Sequence, residues 1–509
     1  MMADAKQRPF DGGEAQRERG ANVVLTLDEK IQYIAERELA AAIAKTHAMA
    51  GTVIVMNPNN GEILAMANWP KFNPNAASEA VGDARMNRAV SVPYEPGSTF
   101  KLITLAAAFD QGITRPDEVF DCENGAIYIS GHRIRDHKPF GLLTVSDILA
   151  QSSDVGAIKI AIRLTAPKFY DYIRAFGFGQ ATGVDMPGES RGILRHLDSW
   201  TPISIGSISM GQEVGVTPIQ LISAVSAIAN GGMLYKPHVV AELRSGEKVL
   251  PAEGVLAPSE PRQVIKPQTA ATLRTLMEGV ILHGTGPLAH LDGWTAAGKT
   301  GSAQKIDPNT GRYSPTQLIA SFTGFAPISN PAVTILVSLD SPVGPHEGGM
   351  VAAPVFKRIA EQVLPYLDVP RDVPLSPKLV QASYKTRETS DPASMEELAP
   401  VDFSVQPEQL TDGAAVAKAE EPVSKTPEVV ISADEGGDIP VPDFSGKTVR
   451  EVTDLCLRMG LEPVLIGSSR ALNQVPAAGA KVRRGAKITV QFGIAPPSKN
   501  SKSRTGTGK

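Results

Sequence analysis

The sequence has few cysteines, few aromatic residues and no long apolar run. Its 509 residues include only two cysteines, Cys122 and Cys456, which is too few for a disulfide framework or a cysteine-rich metal site. Aromatic residues make up 5% of the chain, and no stretch of about 18 apolar residues is present to form a transmembrane helix. We therefore expect no metal, no cofactor and no membrane-spanning helix in the sequence as given.

The charges are nearly balanced. The 50 lysines and arginines stand against 54 aspartates and glutamates, which gives a formal net charge of -4 at pH 7. A nucleic-acid-binding protein needs a strongly basic face, so we expect no nucleic-acid partner. The first 20 residues are polar and lack the apolar core of a signal peptide. Neither a membrane anchor nor a signal peptide is therefore expected in the sequence as given.

Composition divides the chain into five segments. Residues 1–21 are polar and are predicted to be disordered or the remnant of a longer preceding domain. Residues 22–368 place strands at both ends and helices between them, which is typical of an α+β layered domain. Residues 369–438 are rich in Pro, Ser, Glu and Lys and predict a disordered linker. Globular patterning returns at 439–493, and the Lys/Ser/Gly-rich tail 494–509 is predicted to be disordered.

Several helices and strands carry clear local signals. Two apolar runs around a Pro/Asn/Gly turn predict a β-hairpin over 52–67. A Thr-Pro start and a Gly-Gly end predict a helix over 217–232. Apolar runs predict strands over 319–326 and 333–340, and a last helix is predicted over 353–364.

The segment YEPGSTFKLITLAAAF, residues 94–109, contains a candidate nucleophile. Its Glu-Pro-Gly turn predicts that a helix begins near Ser98, and Lys101 shares one helix face with Ser98 at a spacing of i, i+3. A serine hydroxyl becomes a good nucleophile when a neutral lysine takes its proton. The helix N-terminus favours a developing oxyanion, and the apolar remainder predicts a buried helix. Taken alone, this Ser-x-x-Lys spacing is a weak motif.

Two further motifs strengthen the pattern. The triplet Ser-Ser-Asp beginning at Ser152 lies in a turn between two helical patterns, where Ser152 is also a candidate N-cap of the second helix. The run Lys-Thr-Gly-Ser beginning at Lys299 is set among small residues and suits the edge of a strand. Gly301 lacks a side chain that would block the approach of another backbone to that edge.

In this order the three motifs resemble those of penicillin-binding proteins and serine β-lactamases. The 147 residues from Ser152 to Lys299 resemble the spacing of a high-molecular-weight penicillin-binding protein. Over residues 22–368 the chain resembles class B enzymes of the cell-division type. The segments that carry this resemblance are YEPGSTFK, SSDVGAIKIA, GQEVGVTPIQL and GGMVAAPVF. Residues 439–493 resemble a PASTA domain.

The resemblance implies a fold and a function. The fold is α+β: a transpeptidase domain like that of serine β-lactamases, with an antiparallel sheet flanked by helices, and a small α+β PASTA module. The function is that of a peptidoglycan D,D-transpeptidase, which cross-links stem peptides, is acylated by β-lactams and works with other division proteins. The resemblance also implies that the protein acts at the extracytoplasmic face of the cytoplasmic membrane. Class B enzymes also have an N-terminal membrane helix and a pedestal domain, which this sequence is expected to lack.

The resemblance also assigns catalytic roles. Ser98 attacks the carbonyl between the two terminal D-alanines of a stem peptide, and Lys101 is the base that takes its proton. Ser152 passes a proton between Lys101 and the leaving nitrogen. A nearby cation lowers the proton affinity of a lysine, and Lys299 is the candidate for this effect on Lys101.

The remaining site residues bind substrate in this interpretation. The hydroxyls of Thr300 and Ser302, with the charge of Lys299, hold the terminal carboxylate. Backbone N–H groups of the nucleophile and of Ser302 form the oxyanion hole. The substrate strand pairs along the edge that contains Gly301. Asp154 departs from the family pattern, which has Asn at this position, and an ionised Asp154 favours a charged base.

Other functions stay open on the sequence. A D,D-carboxypeptidase or a β-lactamase uses the same fold, and Glu189 lies before the third motif without a Glu-x-x-Leu-Asn arrangement. A non-catalytic β-lactam sensor or division scaffold is a further alternative. His132 and His137 are predicted to be solvated, and His346 to be a loop residue. The 439–493 module is interpreted as a spacer, a docking module or a binder of cell-wall fragments.

Overall fold

The computed structural model describes residues 20–79, 82–251, 253–257, 259–307, 310–375, 435–466 and 470–493. They fall into two compact units, Met1–Pro374 and Leu375–Lys509. The segments expected to be disordered, 1–21, 369–438 and 494–509, lie almost wholly outside the described residues. Within the described ranges, no helix combines the length and the apolarity that crossing a membrane requires.

The first unit alternates short hairpins with helices. Its strands are β1 (Asn22–Leu25), β2 (Ala50–Met56), β3 (Ile63–Trp69), β4 (Val119–Asp121), β5 (Ala126–Ile129), β6 (His132–Arg135), β7 (Leu142–Thr144), β8 (Met233–Leu234), β9 (Val240–Ser245), β10 (Lys248–Leu250), β11 (Arg262–Gln263), β12 (Ala297–Ile306), β13 (Tyr313–Ala326) and β14 (Val333–Asp340). Its helices are α1 (Glu29–Thr46), α2 (Arg88–Ser91), α3 (Lys101–Asp110), α4 (Val145–Ala150), α5 (Asp154–Leu164), α6 (Ala166–Ala175), α7 (Ser204–Ser209), α8 (Pro218–Ala229), α9 (Pro267–Leu282), α10 (Gly348–Val351) and α11 (Ala353–Tyr366).

A five-stranded sheet joins the two ends of this unit. Its order is β12-β13-β14-β2-β3, and every neighbouring pair is antiparallel. The hairpin predicted over 52–67 supplies β2 and β3, and the strands predicted over 319–326 and 333–340 supply the second half of β13 and all of β14. The predicted antiparallel sheet is therefore confirmed. Among the described strands, β12 and β3 form its edges.

Helices cover both faces of the sheet. Successive side chains of a strand point to opposite faces. On β14, Leu336 accordingly belongs to a core shared with α3, α5, α8 and α9, whereas Ile335 and Val337 belong to a core shared with α1 and α11. This alternation explains why β14 is apolar along most of its length, since both faces of a central strand are buried.

Local capping sets the helix ends. Thr217 caps α8 in a capping box with Gln220, and Pro218 occupies the first helical position, as the sequence predicts. The nucleophile helix differs from the prediction, because residues Gly97–Phe100 form a 3-10 turn and α3 starts at Lys101. Such tight turns are frequent at helix N-termini, and this one places Ser98 before the regular helix.

The second unit contains one helix and two small sheets among its described residues. Its elements are β15 (Glu435–Pro440), α12 (Val449–Arg458), β16 (Glu462–Ile466), β17 (Arg470–Val475), β18 (Lys481–Val482) and β19 (Lys487–Gly493). Strands β15 and β18 form a two-stranded sheet, and the three-stranded sheet has the order β16-β19-β17, with the central β19 parallel to β16 and antiparallel to β17. Thr448 caps the predicted helix, and Phe444, Cys456 and Ile488 lie in a separate apolar core. The predicted α+β character of this module is confirmed.

Candidate active site

The nucleophile turn rests on a buried helix. Phe100, the last residue of the turn, packs edge-on against Phe178 and Phe169 with ring centroids 5.1 and 6.4 Å apart. Every residue of α3 from Lys101 to Ala108 is buried. Aromatic pairs of this kind add to the apolar burial that fixes a helix in place. The position of Ser98 is therefore set by a rigid element.

Lys101 connects the nucleophile of its own motif to Ser152 of the second motif. Its Nζ donates to Ser98 Oγ at 3.1 Å, to the Ser152 carbonyl oxygen at 2.6 Å and to Ser152 Oγ at 3.2 Å. The side chain is 1% exposed. A lysine one helical turn from a serine can reach its hydroxyl, so the i, i+3 spacing has become a direct contact.

Ser152 has a strained backbone. Its φ is 61°, in the left-handed region that residues other than glycine rarely adopt. This conformation turns both its carbonyl and its hydroxyl toward Lys101, and strain of this kind is common at functional sites. The N-cap of α5 is Ser153, whose Oγ accepts from Gly156 N at 3.0 Å. The alternative of Ser152 as the cap is therefore wrong.

Lys299 comes from β12 and completes the convergence. Its Nζ donates to Ser152 Oγ at 2.9 Å and also lies 3.3 Å from the Thr300 carbonyl oxygen. The residue is fully buried. Burial, and after it the nearby Lys101 ammonium, holds the pKa of Lys299 well below its usual range, while Asp154 opposes this shift. Two lysines thus share one serine hydroxyl, and one of the pair is easily deprotonated.

The other third-motif residues lie along the same strand. Thr300 Oγ1 is 2.7 Å from Thr285 Oγ1, and Ser302 Oγ accepts from Gly348 N at 3.0 Å. Gly301 is required by close packing, because a Cβ there would lie 2.4 Å from Ser321 Oγ and 3.0 Å from a carbonyl oxygen of the nucleophile turn. The missing side chain lets the turn that bears the nucleophile lie against β12.

Asp154 forms an ion pair with the candidate base. Its Oδ1 lies 2.7 Å from Lys101 Nζ, and its side chain is 25% exposed. The same carboxylate opposes the lowering of the Lys299 pKa. Asp154 therefore favours positive charge on the lysine pair.

The variant Asp154→Asn tests this effect. Removing the carboxylate should make the lysine pair easier to deprotonate, so more base is present at a given pH. We expect the rate constant for acylation by benzylpenicillin at pH 6 to rise about tenfold, the equivalent of roughly one pKa unit, and the acid limb of its pH profile to move to lower pH. Stopped-flow acylation measures both, and a rate that falls at all pH values contradicts the prediction.

An open cleft of about 400 Å³ lies above these groups. It is lined by Ser98, Ser152 and Asp154 and by four apolar side chains, Pro287, Leu288, Leu318 and Met350. Three titratable side chains that the sequence interpretation left out of the site also line this cleft: His137, His346 and Glu347. They lie on loops with no local motif, so only the fold brings them here.

Asp136 holds the second motif in place through hydrogen bonds. One of its carboxylate oxygens accepts from the backbone N–H groups of Asp154 and Val155, and the other accepts from Ser153 Oγ at 2.9 Å. A carboxylate at a helix N-terminus satisfies free N–H groups and complements the helix dipole. Sequence reasoning missed this residue, because it stands 18 positions before Asp154 on a different loop.

Glu95 fixes the start of the nucleophile turn. Its Oε1 accepts from Glu213 N at 2.9 Å and from Tyr313 Oη at 3.1 Å, and its buried Oε2 has no hydrogen-bond partner among the described residues. Burial raises the pKa of the Glu95 carboxyl, and the hydrogen bonds from Glu213 N and Tyr313 Oη oppose this shift. On the same side Gly211 packs on Gly97, where a Cβ would lie 2.1 Å from the carbonyl oxygen.

Two remaining candidates lie outside the cleft lining. The Glu189 carboxylate accepts from the Thr182 hydroxyl and from backbone N–H groups of its own loop, so it is held as a loop clamp. His132 is exposed at the start of β6. Over the described ranges, no group of three or more His, Cys, Asp or Glu side chains is arranged to hold a metal ion.

The family comparisons agree with this geometry. The family described as "Penicillin binding protein transpeptidase domain" matches residues 51–361, and the PASTA domain family matches residues 439–493. Among solved structures, the transpeptidase domain of Burkholderia pseudomallei penicillin-binding protein 3 is 34% identical, with a TM-score of 0.60, and covers 69% of this chain and 98% of that one. The aztreonam complex of Mycobacterium tuberculosis penicillin-binding protein 3 is 33% identical, with a TM-score of 0.66, and covers 70% and 82%.

Curated relatives include a sporulation protein and proteins named as peptidoglycan D,D-transpeptidases. Stage V sporulation protein D of Bacillus subtilis is 35% identical over 481 residues, which are 92% of this chain and 65% of that protein. Peptidoglycan D,D-transpeptidase FtsI of Escherichia coli is 34% identical over 354 residues, which are 69% of this chain and 57% of that protein. The chain thus spans less than two thirds of the length of these relatives. It belongs to the penicillin-binding protein transpeptidase family and also contains a PASTA domain.

Proposed function

We propose that this protein is a peptidoglycan D,D-transpeptidase, which cross-links stem peptides through an acyl-enzyme on Ser98. The proposal rests on one observation, the chain of contacts from Ser98 Oγ to Lys101 Nζ, Ser152 Oγ and Lys299 Nζ, at 3.1, 3.2 and 2.9 Å. Relatives named peptidoglycan D,D-transpeptidase, and a relative solved with aztreonam and with ampicillin, support it. We include β-lactams as inhibitors for the same reason.

The first half-reaction is acylation. Ser98 Oγ attacks the carbonyl carbon between the two terminal D-alanines, and Lys101 Nζ accepts the serine proton. The carbon–nitrogen bond then breaks, and the leaving D-alanine nitrogen takes a proton through the Ser152 hydroxyl. A positioned acid–base pair of this kind contributes about 10²- to 10⁴-fold to a rate.

One of the two lysines, Lys101 or Lys299, must be neutral before acylation can begin. Lys299 is the group whose pKa is lowered by burial and by the Lys101 charge. The Ser152 hydroxyl lies within hydrogen-bond distance of both Nζ atoms, so a proton can pass from Lys101 to Lys299 before the attack. The two lysines titrate together, and the pH dependence of acylation belongs to the pair.

Strand β12 is the proposed binding edge for the donor peptide. An extended peptide adds to a free sheet edge through main-chain hydrogen bonds. The Thr300 and Ser302 hydroxyls lie on this strand beside the cleft and would hold the terminal carboxylate. The backbone N–H groups of Ser98 and Ser302 would form the oxyanion hole, in which one donor is worth about 3–4 kcal/mol.

We place this activity on the outer face of the cytoplasmic membrane, with other division proteins as partners. The substrate, the stem peptides of peptidoglycan, lies outside that membrane. The relatives named as FtsI and PenA proteins and as a sporulation protein support a role in division-type cell-wall synthesis.

A β-lactamase is the principal alternative, and one observation disfavours it. A β-lactamase must activate a water that hydrolyses the acyl-enzyme. Glu189 was the candidate for that step, but its carboxylate is bound by Thr182 and Gly183 and does not line the cleft.

Intact-mass spectrometry after incubation with benzylpenicillin tests the proposal. We expect one penicilloyl group per chain and an adduct that persists for hours, because no activated water attacks it. In parallel, a donor peptide ending in D-Ala-D-Ala should give amide-linked products when an acceptor amine is present. Rapid loss of the adduct would instead show a β-lactamase, and release of D-alanine without amide products would show a D,D-carboxypeptidase.

A further inference from the structure

His137 occupies a place that the acylation chemistry leaves without a role. It follows β6 on an exposed loop, two residues beyond the end of that strand, and its side chain lines the cleft together with Ser98, Ser152 and Asp154. Its ring packs edge-on against Phe140, with centroids 5.4 Å apart, which holds the imidazole at the rim. An imidazole at this place faces the same space as the acyl group on the nucleophile.

The surroundings of His137 lower the pKa of its imidazole. Burial is the first cause that lowers its pKa, and the ammonium groups of Lys101 on α3 and Lys138 on its own loop lower it further. Asp154 on α5 and Asp136 oppose this shift. A neutral imidazole at pH 7 has one free nitrogen and can accept a proton.

The second half-reaction needs such a group. The acceptor amine must lose a proton as its nitrogen attacks the acyl carbon, and the Ser98 oxygen must gain one as it leaves. Lys101 is 3.1 Å from Ser98 Oγ and is suited to return the proton to that oxygen. It cannot at the same moment take a proton from the incoming amine.

We propose that His137 binds the acceptor amine and takes its proton during transfer, a role that rests on the proposed transpeptidase function. The amine nitrogen forms a bond to the acyl carbon, and the bond from that carbon to Ser98 Oγ breaks. The amine proton moves to the free nitrogen of the His137 imidazole, and Lys101 protonates the serine oxygen. His137 then releases its proton to water and Lys101 takes one from water, so that both side chains return to the protonation states in which the cycle began.

The acyl-enzyme can react either with an acceptor amine or with water, and the ratio of the two products tests this inference. The full chain is given an N-acyl-D-alanyl thioester as donor and D-alanine as acceptor, and amide and hydrolysis products are separated by chromatography. We expect His137→Gln to lower the ratio of amide to hydrolysis product about tenfold or more, as loss of a general base does. Acylation by benzylpenicillin should change much less than this ratio. The exposed His132→Gln on the same hairpin is the matched control and should keep the wild-type ratio.

The pH profile distinguishes loss of a proton acceptor from a structural change of the cleft caused by the substitution. The ratio is divided at each pH by the fraction of D-alanine whose amine is neutral, because that fraction also falls with pH. In the wild type the corrected ratio should fall as pH drops below the lowered pKa of His137, because a protonated imidazole cannot accept a proton. In His137→Gln this acid limb should vanish. An unchanged ratio and pH profile in that variant overturn the role of His137 and leave the transpeptidase proposal standing. If the wild type is acylated but forms no amide with any acceptor amine, the transpeptidase proposal fails and this inference fails with it.

Discussion

Ser98→Ala is expected to abolish covalent labelling by fluorescent penicillin and to remove transfer activity. Loss of a serine nucleophile costs a factor on the order of 10⁶ in turnover in enzymes where it has been measured. In this protein the Ser98 hydroxyl receives a hydrogen bond from Lys101, and Lys101 keeps its contacts with Ser152 and Asp154 when the hydroxyl is gone. The fold should therefore be unaffected. Gel fluorescence and intact-mass spectrometry measure the loss.

The control for this variant is Ser91→Ala. Ser91 lies in α2, where its Oγ donates to the Asn87 carbonyl oxygen at 2.7 Å, and it does not line the cleft. Labelling at the wild-type rate is expected. If Ser98→Ala still carried one penicilloyl group, another residue would be the nucleophile, and peptide mapping of the adduct would identify it.

Lys101→Met is expected to slow acylation by about 10² to 10⁴, the usual contribution of a general base. Methionine has a length close to that of lysine and suits a buried site, so the helix should keep its packing. Asp154 would lose its partner, but its side chain is 25% exposed and can be hydrated. Stopped-flow acylation by benzylpenicillin measures the rate, and the melting temperature reports any loss of stability.

Lys159→Met is the matched control on the neighbouring helix. Lys159 Nζ lies 2.7 Å from Glu123 Oε1, and surface pairs of this kind contribute about 0–1 kcal/mol. Its acylation rate should equal that of the wild type. An unimpaired Lys101→Met protein would instead assign the base to Lys299, whose pKa is lowered and which reaches the same Ser152 hydroxyl.

Much of the fold could be predicted because its signals are local. A capping threonine, a proline in the first turn and a glycine pair located α8 to within three residues. Apolar runs located four of the five strands of the central sheet, whereas β12 was indicated only by the small residues around the third motif. The start of α3 was misplaced by three residues, because the Glu-Pro-Gly signal marks the start of a turn and does not tell a 3-10 turn from a regular helix.

The site was only partly predictable. Ser98, Lys101, Ser152 and Lys299 belong to motifs with fixed spacings, and the structure brings them together. His137 has no such motif, since its place in the cleft depends on how one hairpin folds over the start of α5. The sequence interpretation predicted a solvated side chain, and His137 is exposed, but no sequence pattern indicated that it also lines the cleft. Which of two adjacent serines caps α5 also depended on the backbone angle of Ser152, which no sequence pattern encodes.

Strand β12 has a consequence for self-association. A free sheet edge that accepts a peptide can equally accept a strand from another molecule, which is a route to aggregation. Beyond Gln304 the register of β12 against β13 shifts, and Lys305 is tied to Asp340 by an ion pair of 2.7 Å. Irregular pairing and edge lysines discourage foreign strands. The regular part of the β12 edge is the stretch beside Ser98. Pairing with a strand of another molecule is therefore possible only where the proposed reaction needs a free edge to bind its peptide.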